Sequence, residues 1–302
     1  MLLLHCSQKL LSLYKSLAGS IPESLKVYGS LYYINHGNPF NMELLVDSWP
    51  EYQTVIISPQ KQEMTDDMDP YTNVYRVFSK EPQKLQEVLK NCGVINWKQK
   101  FQIQGCQESL GEEIKAIAFS TSVKVNYSKL LLYLTEHSPG LKASTESKPG
   151  SRREAHHPDD GSESGVPNFK FSQLDVCHAL VNDNWDIGQN EKSLRYIQRC
   201  IQTLPAFCLQ GPEGHPVTWA TMDPSCEVGM AYTLDRYRSK GKLRQLLGYF
   251  MKYLRQENIP FYLSVLEENE KSRRAVEGSG FSVASCGWHQ WICSPGKVPF
   301  VL

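Results

Sequence analysis

The segment CEVGMAYTLDRYRSKGKL, Cys226 to Leu243, constrains the fold more than any other because its hydrophobic period changes partway along. Val228, Met230 and Tyr232 alternate with Glu227, Gly229, Ala231 and Thr233, which predicts a strand with one apolar face and an opposite face of one carboxylate and two very small side chains. Leu243, Leu246, Leu247, Phe250, Met251 and Leu254 then follow helical spacing. Between the two lies a basic turn, Arg238, Ser239, Lys240 and Gly241. The first amides of a helix have no partner within it and carry partial positive charge, so such a turn can hold a phosphate. Arg238 and Lys240 would add charge, and Gly241 would let the backbone approach the ligand. A plain strand, turn and helix without ligand fits the same residues, and R-x-x-G-x-L spacing alone does not choose.

A chain of 302 residues allows one large or two medium domains. Its 32 Lys plus Arg balance 32 Asp plus Glu, which argues against nucleic acid or an acidic membrane as chief partner and favours a small ligand. Nine cysteines without a C-x-x-C pair read as reduced thiols of an intracellular protein, with no disulfide framework. No apolar run approaches the roughly 20 residues of a membrane span. The first twenty residues, MLLLHCSQKLLSLYKSLAGS, are amphipathic and acid-free, with Lys9 and Lys15. They suit an ordinary first helix, and they also resemble a mitochondrial presequence, giving a mitochondrial expectation with the cytoplasm as the other choice.

Along the first half, Lys26 to Ile34, Met42 to Val46 and Thr54 to Ser58 read as short strands, and Glu81 to Asn91 as a helix. Glu63, Asp66, Asp67 and Asp69 lack the glycine and glutamate of a calcium loop and read as a solvated acidic loop. Residues 138–167 are rich in Ser, Pro, Gly and charge, too polar to offset the entropy of ordering, so they read as a linker between an α/β domain at 1–137 and a second domain at 168–302. In the second half Phe171 to Val181 and Glu191 to Leu204 have helical spacing, and Ala206 to Leu209 with Val217 to Met222 read as a hairpin. After the basic turn and its helix come a strand at Phe261 to Val265, a helix from Asn269 to Glu277, and a final strand pair from Phe281 to Ile292. The expected class is mixed α/β, of the α+β kind.

This order of elements resembles the GCN5-related N-acetyltransferase fold, in which acyl coenzyme A lies between two splayed parallel strands. Arg238 and Gly241 match its R-x-x-G-x-G/A pyrophosphate turn, with Leu243 at the last position. Asn269, followed eleven and twelve residues later by Gly280 and Phe281, is similar to its second motif. SIPESLKVYG, NPFNMELLVDSWPEYQ, LVNDNW, QGPEG and GWHQW extend a resemblance to the mammalian glycine N-acyltransferase family over nearly the whole chain, in its glycine N-acyltransferase-like branch. The N-terminal half repeats short strands flanked by helices without an R-x-x-G turn, so it is expected to be a degenerate copy of the same fold packed against the other half. The resemblance implies a monomeric enzyme that moves an acyl group such as phenylacetyl from acyl-CoA, a co-substrate and not a tightly bound cofactor, to the amino group of glutamine or glycine.

The family's proposed general base is a glutamate at the position of Glu227. An ammonium has no lone pair and must lose a proton before attack on the thioester, and partial burial would make a carboxylate of ordinary pKa about 4.3 a better base. By analogy with the fold, backbone amides near Met230, Ala231 and Tyr232 meet the oxyanion, and Arg238, Ser239, Lys240, Gly241, Lys242, Leu243 and Asn269 contact coenzyme A. Many relatives protonate the leaving thiolate with a tyrosine seven residues after the asparagine; here Val276 stands there, leaving water or Tyr232. Cys286, His289 and Cys293 lack a fourth ligand for zinc, so no metal is expected. Trp219, Trp288 and Trp291 suit an aromatic acyl pocket or core packing. Two other functions stay open: a protein or small-amine acetyltransferase, and a non-catalytic acyl-CoA binder.

Overall fold

The computed structural model describes residues 1–91, 93–136, 138, 169–175 and 177–296. Apart from Ser138, the linker expected at 138–167 lies outside the described residues.

The chain runs twice through one order of elements. The first pass is β1 (Leu2–Leu4), α1 (Ser7–Ala18), α2 (Leu25–Asn35), β2 (Met42–Val46), β3 (Thr54–Pro59), β4 (Val74–Ser79), α3 (Leu85–Asn91), β5 (Phe101–Gly105), α4 (Leu110–Ser120) and β6 (Val123–Thr135). The second is β7 (Lys170–Gln173), α5 (His178–Asp183), α6 (Glu191–Thr203), β8 (Ala206–Gln210), β9 (Pro216–Met222), β10 (Val228–Thr233), α7 (Lys242–Gln256), β11 (Leu263–Val265), α8 (Glu270–Glu277) and β12 (Phe281–Pro295). Each pass reads strand, two helices, three strands, helix, strand, helix, strand, so the class is mixed α/β and the N-terminal half repeats the C-terminal order. Between β4 and α3 there is no counterpart of the R-x-x-G turn.

In each pass the first four strands are antiparallel neighbours. The last strands are exchanged. β12 lies between β5 and β6, and β6 lies between β12 and β11, giving the described order β1-β2-β3-β4-β5-β12-β6-β11 beside a second sheet β10-β9-β8-β7. The sequence boundary at 137–168 is therefore crossed by one sheet. The expected final strand pair is the single strand β12, whose register against β6 shifts between Val283 and Gly287 and so breaks the alternation.

Three other differences have physical causes. Lys26 to Ile34 belongs to helix α2, not to a strand: Leu25, Lys26, Val27, Tyr28, Gly29, Ser30, Leu31 and Tyr33 are all buried, and a helix covered nearly all round has no amphipathic period to betray it. Phe171 to Val181 splits into β7 and α5, and Leu174, just after β7, and Val181 of α5 reach the same small core from the two sides of the break. The acidic loop is not simply solvated. Glu63, Asp66 and Asp69 face Lys192, Arg195 and Arg199, which share one side of α6 at helical spacing and tie it to the first half. At the start of the chain, β1 pairs with β2, and Leu10, Leu13 and Leu17 of α1 are buried in the main core.

Trp291 of β12, fully buried, packs among Tyr75, Val77 and Phe101 of the first pass. Calorimetric unfolding should therefore give one transition for both halves, and Trp291→Ala should lower its stability by about 3–5 kcal/mol without splitting it. Two separable transitions would contradict the shared sheet.

Candidate functional site

β10 and β11 lie in different sheets and meet at one place. Glu227 and Tyr262 form an isolated parallel bridge there, and the Val228 amide donates to the Tyr262 carbonyl at 2.8 Å. Beyond it β10 stays with β9 and β11 stays with β6, so two parallel strands part and leave a V-shaped gap. Glu227 stands at the apex.

The alternation expected along β10 holds only as far as Gly229. Gly229 pairs with Thr221 and Tyr232 with Trp219, so Met230 and Ala231 together oppose one residue of β9. This is a β-bulge, and Met230 takes a left-handed φ of 49° within it. The bulge reverses the phase: Tyr232 shares a face with Glu227 instead of with Val228, and its ring stacks on Trp219 with centroids 5.5 Å apart. Met230 and Ala231 are left without register partners on β9, on the strand that borders the gap.

The surroundings of Glu227 come from four parts of the chain. Its side chain is 12% exposed, and Oε2 accepts from Lys26 Nζ at 2.5 Å, the lysine itself being 1% exposed on α2. Ser264 Oγ of β11 donates to Oε1. Lys26 also donates to Ser225 Oγ at 3.1 Å, lies 3.7 Å from Asp223 Oδ2, and sits over the rings of Tyr262 and Trp288. Ser225 Oγ in turn donates to Asp223 Oδ1 at 2.6 Å and meets Tyr262 Oη at 2.9 Å. Asp223 Oδ1 accepts from the amides of Ser225 and Glu227, which fixes the turn leading into β10. Burial, then the charges of Glu227 and Asp223, push the Tyr262 phenol well above its ordinary value, so it remains a hydroxyl donor. Gly29 lets α2 come this close: a Cβ there would stand 1.8 Å from the Ser225 carbonyl oxygen.

Sequence reasoning missed Lys26, Asp223, Ser225, Tyr262 and Ser264. The available signal was Lys26 itself, a single charge between Leu25 and Val27 in an otherwise apolar run, since a buried lysine requires a partner.

The basic turn starts α7 with Gly241 at φ 69° as N-cap, after Ser239 at φ 60°. Lys242, Leu243 and Arg244 form the first helical turn, whose amides have no partner within an α-helix. The cationic side chains brace the loop. Arg238 donates through Nε to the Thr233 carbonyl at 3.0 Å, pairs with Asp235 and lies over the Tyr232 ring. Lys240 donates to the Arg236 carbonyl at 2.9 Å, and Lys242 sits 3.5 Å from the centroid of Phe169. Leu243 packs on the main core.

Asn269 caps α8, its side chain accepting from the Ser272 amide at 3.1 Å. Val276 is buried in the core. Trp291 belongs to the first-half core, whereas Trp288 borders the Lys26 ammonium and Trp219 supports Tyr232. On β12, His289 bonds Tyr127 Oη at 2.8 Å, and the rings of His289, Tyr127 and Trp291 each stack on the other two. Among the described residues no three His, Cys, Asp or Glu side chains gather as a metal site, and no helix is long and apolar enough to cross a membrane.

The profile of the family described as aralkyl acyl-CoA:amino acid N-acyltransferase matches residues 1–205, and that of its C-terminal region matches residues 207–295. The chain is 67% identical over 302 residues to human glycine N-acyltransferase-like protein 1, covering 99% of this chain and 100% of that one. It is 42% identical to human glycine N-acyltransferase, covering 98% and 99% of the two chains. It is 40% identical to the glycine N-phenylacetyltransferase of Bos taurus, covering 95% and 97%. An X-ray structure of a Drosophila protein, 14% identical, superposes over 97% of this chain and 98% of its own with a TM-score of 0.70, a likeness of fold.

Removing the ammonium from the apex should leave Glu227 buried and unpaired. Lys26→Met should cost about 3–5 kcal/mol, and the double variant Lys26→Met/Glu227→Gln, which lacks both charges, should recover part of it. Urea unfolding of the four proteins tests this, and strictly additive losses would mean the two side chains do not interact. Asp223 supplies a pH dependence. Burial opposes its ionisation, but Lys26, Arg76 and the Ser225 hydrogen bonds outweigh burial and hold its carboxyl below the ordinary value. A carboxyl lowered in the folded state adds stability that is complete above the ordinary aspartate range and lost as pH falls through and below it. Asp223→Asn should therefore flatten the fall in melting temperature between about pH 5 and pH 2.

Proposed function

Because the chain belongs to the aralkyl acyl-CoA:amino acid N-acyltransferase family, we propose that it transfers the acyl group of acyl-CoA to the α-amino group of glutamine or glycine by direct attack, with Glu227 as general base. The observation that carries this reading is the position of Glu227 at the apex of the parted strands, held between Lys26 and Ser264. A carboxylate has about four lone-pair sites. Two are occupied here, which leaves capacity on the carboxylate to accept from an incoming ammonium.

In this reading the ammonium gives a proton to Glu227, and the amine nitrogen attacks the thioester carbon. The oxyanion that forms is met by the amides of the bulge at Met230 and Ala231, which lack register partners on β9. Collapse re-forms the carbonyl, breaks the carbon–sulfur bond and releases the second proton of the attacking nitrogen to water, which leaves a neutral amide. The thiolate, with a thiol pKa of about 8.5, leaves as the anion or takes a proton from water or Tyr232. The pyrophosphate lies on the backbone of the turn from Ser239 to Arg244, with Arg238, Lys240 and Lys242 shaping the turn and adding charge. Asn269 acts by holding the start of α8.

Free thiol release from phenylacetyl-, benzoyl- and acetyl-CoA against a panel of amino acids and peptides tests the activity. Turnover with glutamine or glycine is expected, turnover confined to peptides or simple amines would indicate an acetyltransferase, and binding without turnover a passive acyl-CoA binder. Glu227→Gln should lower turnover near neutral pH about 10²- to 10⁴-fold and recover part of it as pH rises and free amine accumulates. Full activity of this variant at pH 7 with saturating acceptor would move the base elsewhere. Gly241→Val places a β-branched residue at left-handed φ, a strain of about 1–3 kcal/mol, and should weaken coenzyme A binding by a similar amount in calorimetry while leaving acceptor preference unchanged.

A further inference from the structure

A second cavity, of about 160 Å³, lies at the seam of the two halves, bounded by β2 to β4 on one side and by α6 and the turn at Pro224 on the other. For comparison, an engineered apolar cavity of about 150 Å³ admits benzene. Phe40, Val74, Tyr196 and Pro224 supply apolar wall.

Arg76, in the middle of β4, is 4% exposed and lines this cavity. A guanidinium carries five donors. Its Nε has no partner, and the contact of Nη1 is the sulfur of Met42 at 3.9 Å, which is not an oxygen acceptor. Among the described residues no carboxylate lies within 4.0 Å of it as an ion pair. The other charges of the wall are engaged. Arg199 pairs with Glu63 at 2.7 Å, donates to the Pro39 carbonyl and covers the Phe40 ring. Asp69 accepts from the Tyr71 and Thr72 amides and from Thr72 Oγ1, with Arg195 4.0 Å away.

We propose that this cavity binds a small monoanionic carboxylate with an apolar or amide-bearing body, its carboxylate held by Arg76. The planar fork of arginine matches the two oxygens of a carboxylate, and a buried guanidinium without an oxygen acceptor is otherwise costly. Glu63 and Asp69 on the same wall disfavour a dianion such as a phosphate monoester, so the ligand carries one charge. The site is separate from the gap between β10 and β11, but Pro224, which forms part of its wall, lies within the turn from Asp223 to Glu227. The proposal stands on this cavity and does not depend on acyl transfer.

The test is calorimetric titration of the full chain, with saturating coenzyme A present, by N-acetylglutamine, phenylacetate and N-phenylacetylglutamine, each beside the corresponding neutral primary amide. At least one carboxylate should bind, and its amide should bind about ten- to a hundredfold more weakly, the range for a charge-assisted contact. Which one binds identifies the source as a free acid or an N-acyl amino acid. Arg76→Met should remove the preference for the acid, and Arg76→Lys should retain part of it. If Arg76→Met does not fold, the acid-against-amide comparison on the unaltered chain and the lysine variant still decide. Absence of binding by all three carboxylates, equal binding of acid and amide, or binding unchanged in Arg76→Met would each overturn the proposal.

Discussion

The contact between Lys26 and Glu227 is the one on which the arrangement of the two halves around the gap depends. An ammonium from a helix of the first pass reaches a carboxylate at the entry of β10, where neither charge is well hydrated. Pairs of this kind seldom add stability compared with apolar packing, because desolvation offsets the attraction. What the pair does here is fix position. Lys26 also holds Ser225 and lies over Tyr262 and Trp288, so α2, the turn into β10, β11 and β12 all converge on one nitrogen. Gly29 permits the approach, because any side chain there would meet the backbone of that turn.

The repeat has diverged in a physically readable way. Both passes keep the same order of elements, but the second has the basic turn and the left-handed glycine that opens α7, and the first lacks them. The first pass instead contributes charge at the seam: Lys26 beneath the apex, Arg76 in the second cavity, and the acids that hold α6. Asp223 lies 3.7 Å from Lys26 and is followed in the chain by Pro224, which lines the cavity, so one turn serves both places.

The elements with strong local signals were legible in the sequence. Met42 to Val46, the hairpin of β8 and β9, the helix after the basic turn and the helix that begins after Asn269 all follow from alternation, helical spacing or turn residues. That Glu227 leads the central strand was legible through the motif around it, but the parting of the strands was expected near Met230 to Tyr232 and begins at Glu227 itself. Contacts made by distant segments were not. Helix α2 hides its period because it is covered on nearly every side, and so hid Lys26 as well. The bulge at Met230 and Ala231 leaves no mark in a pattern of small and apolar residues, yet it decides which way Tyr232 points. Exchange of the last strands depends on pairing between β5 and β12, which no local window contains.

The strand exchange also governs the order in which the chain can mature. β6, 13 residues long, leaves the ribosome well before either of its neighbours, β11 and β12, has been made. Until then it presents two open edges, and β5 presents one, the state in which strands recruit other chains. Contacts of such long sequence separation close slowly. Completion of the first half therefore awaits the last stretch of the second, and nascent chains spend most of their synthesis with the centre of the larger sheet unbuilt.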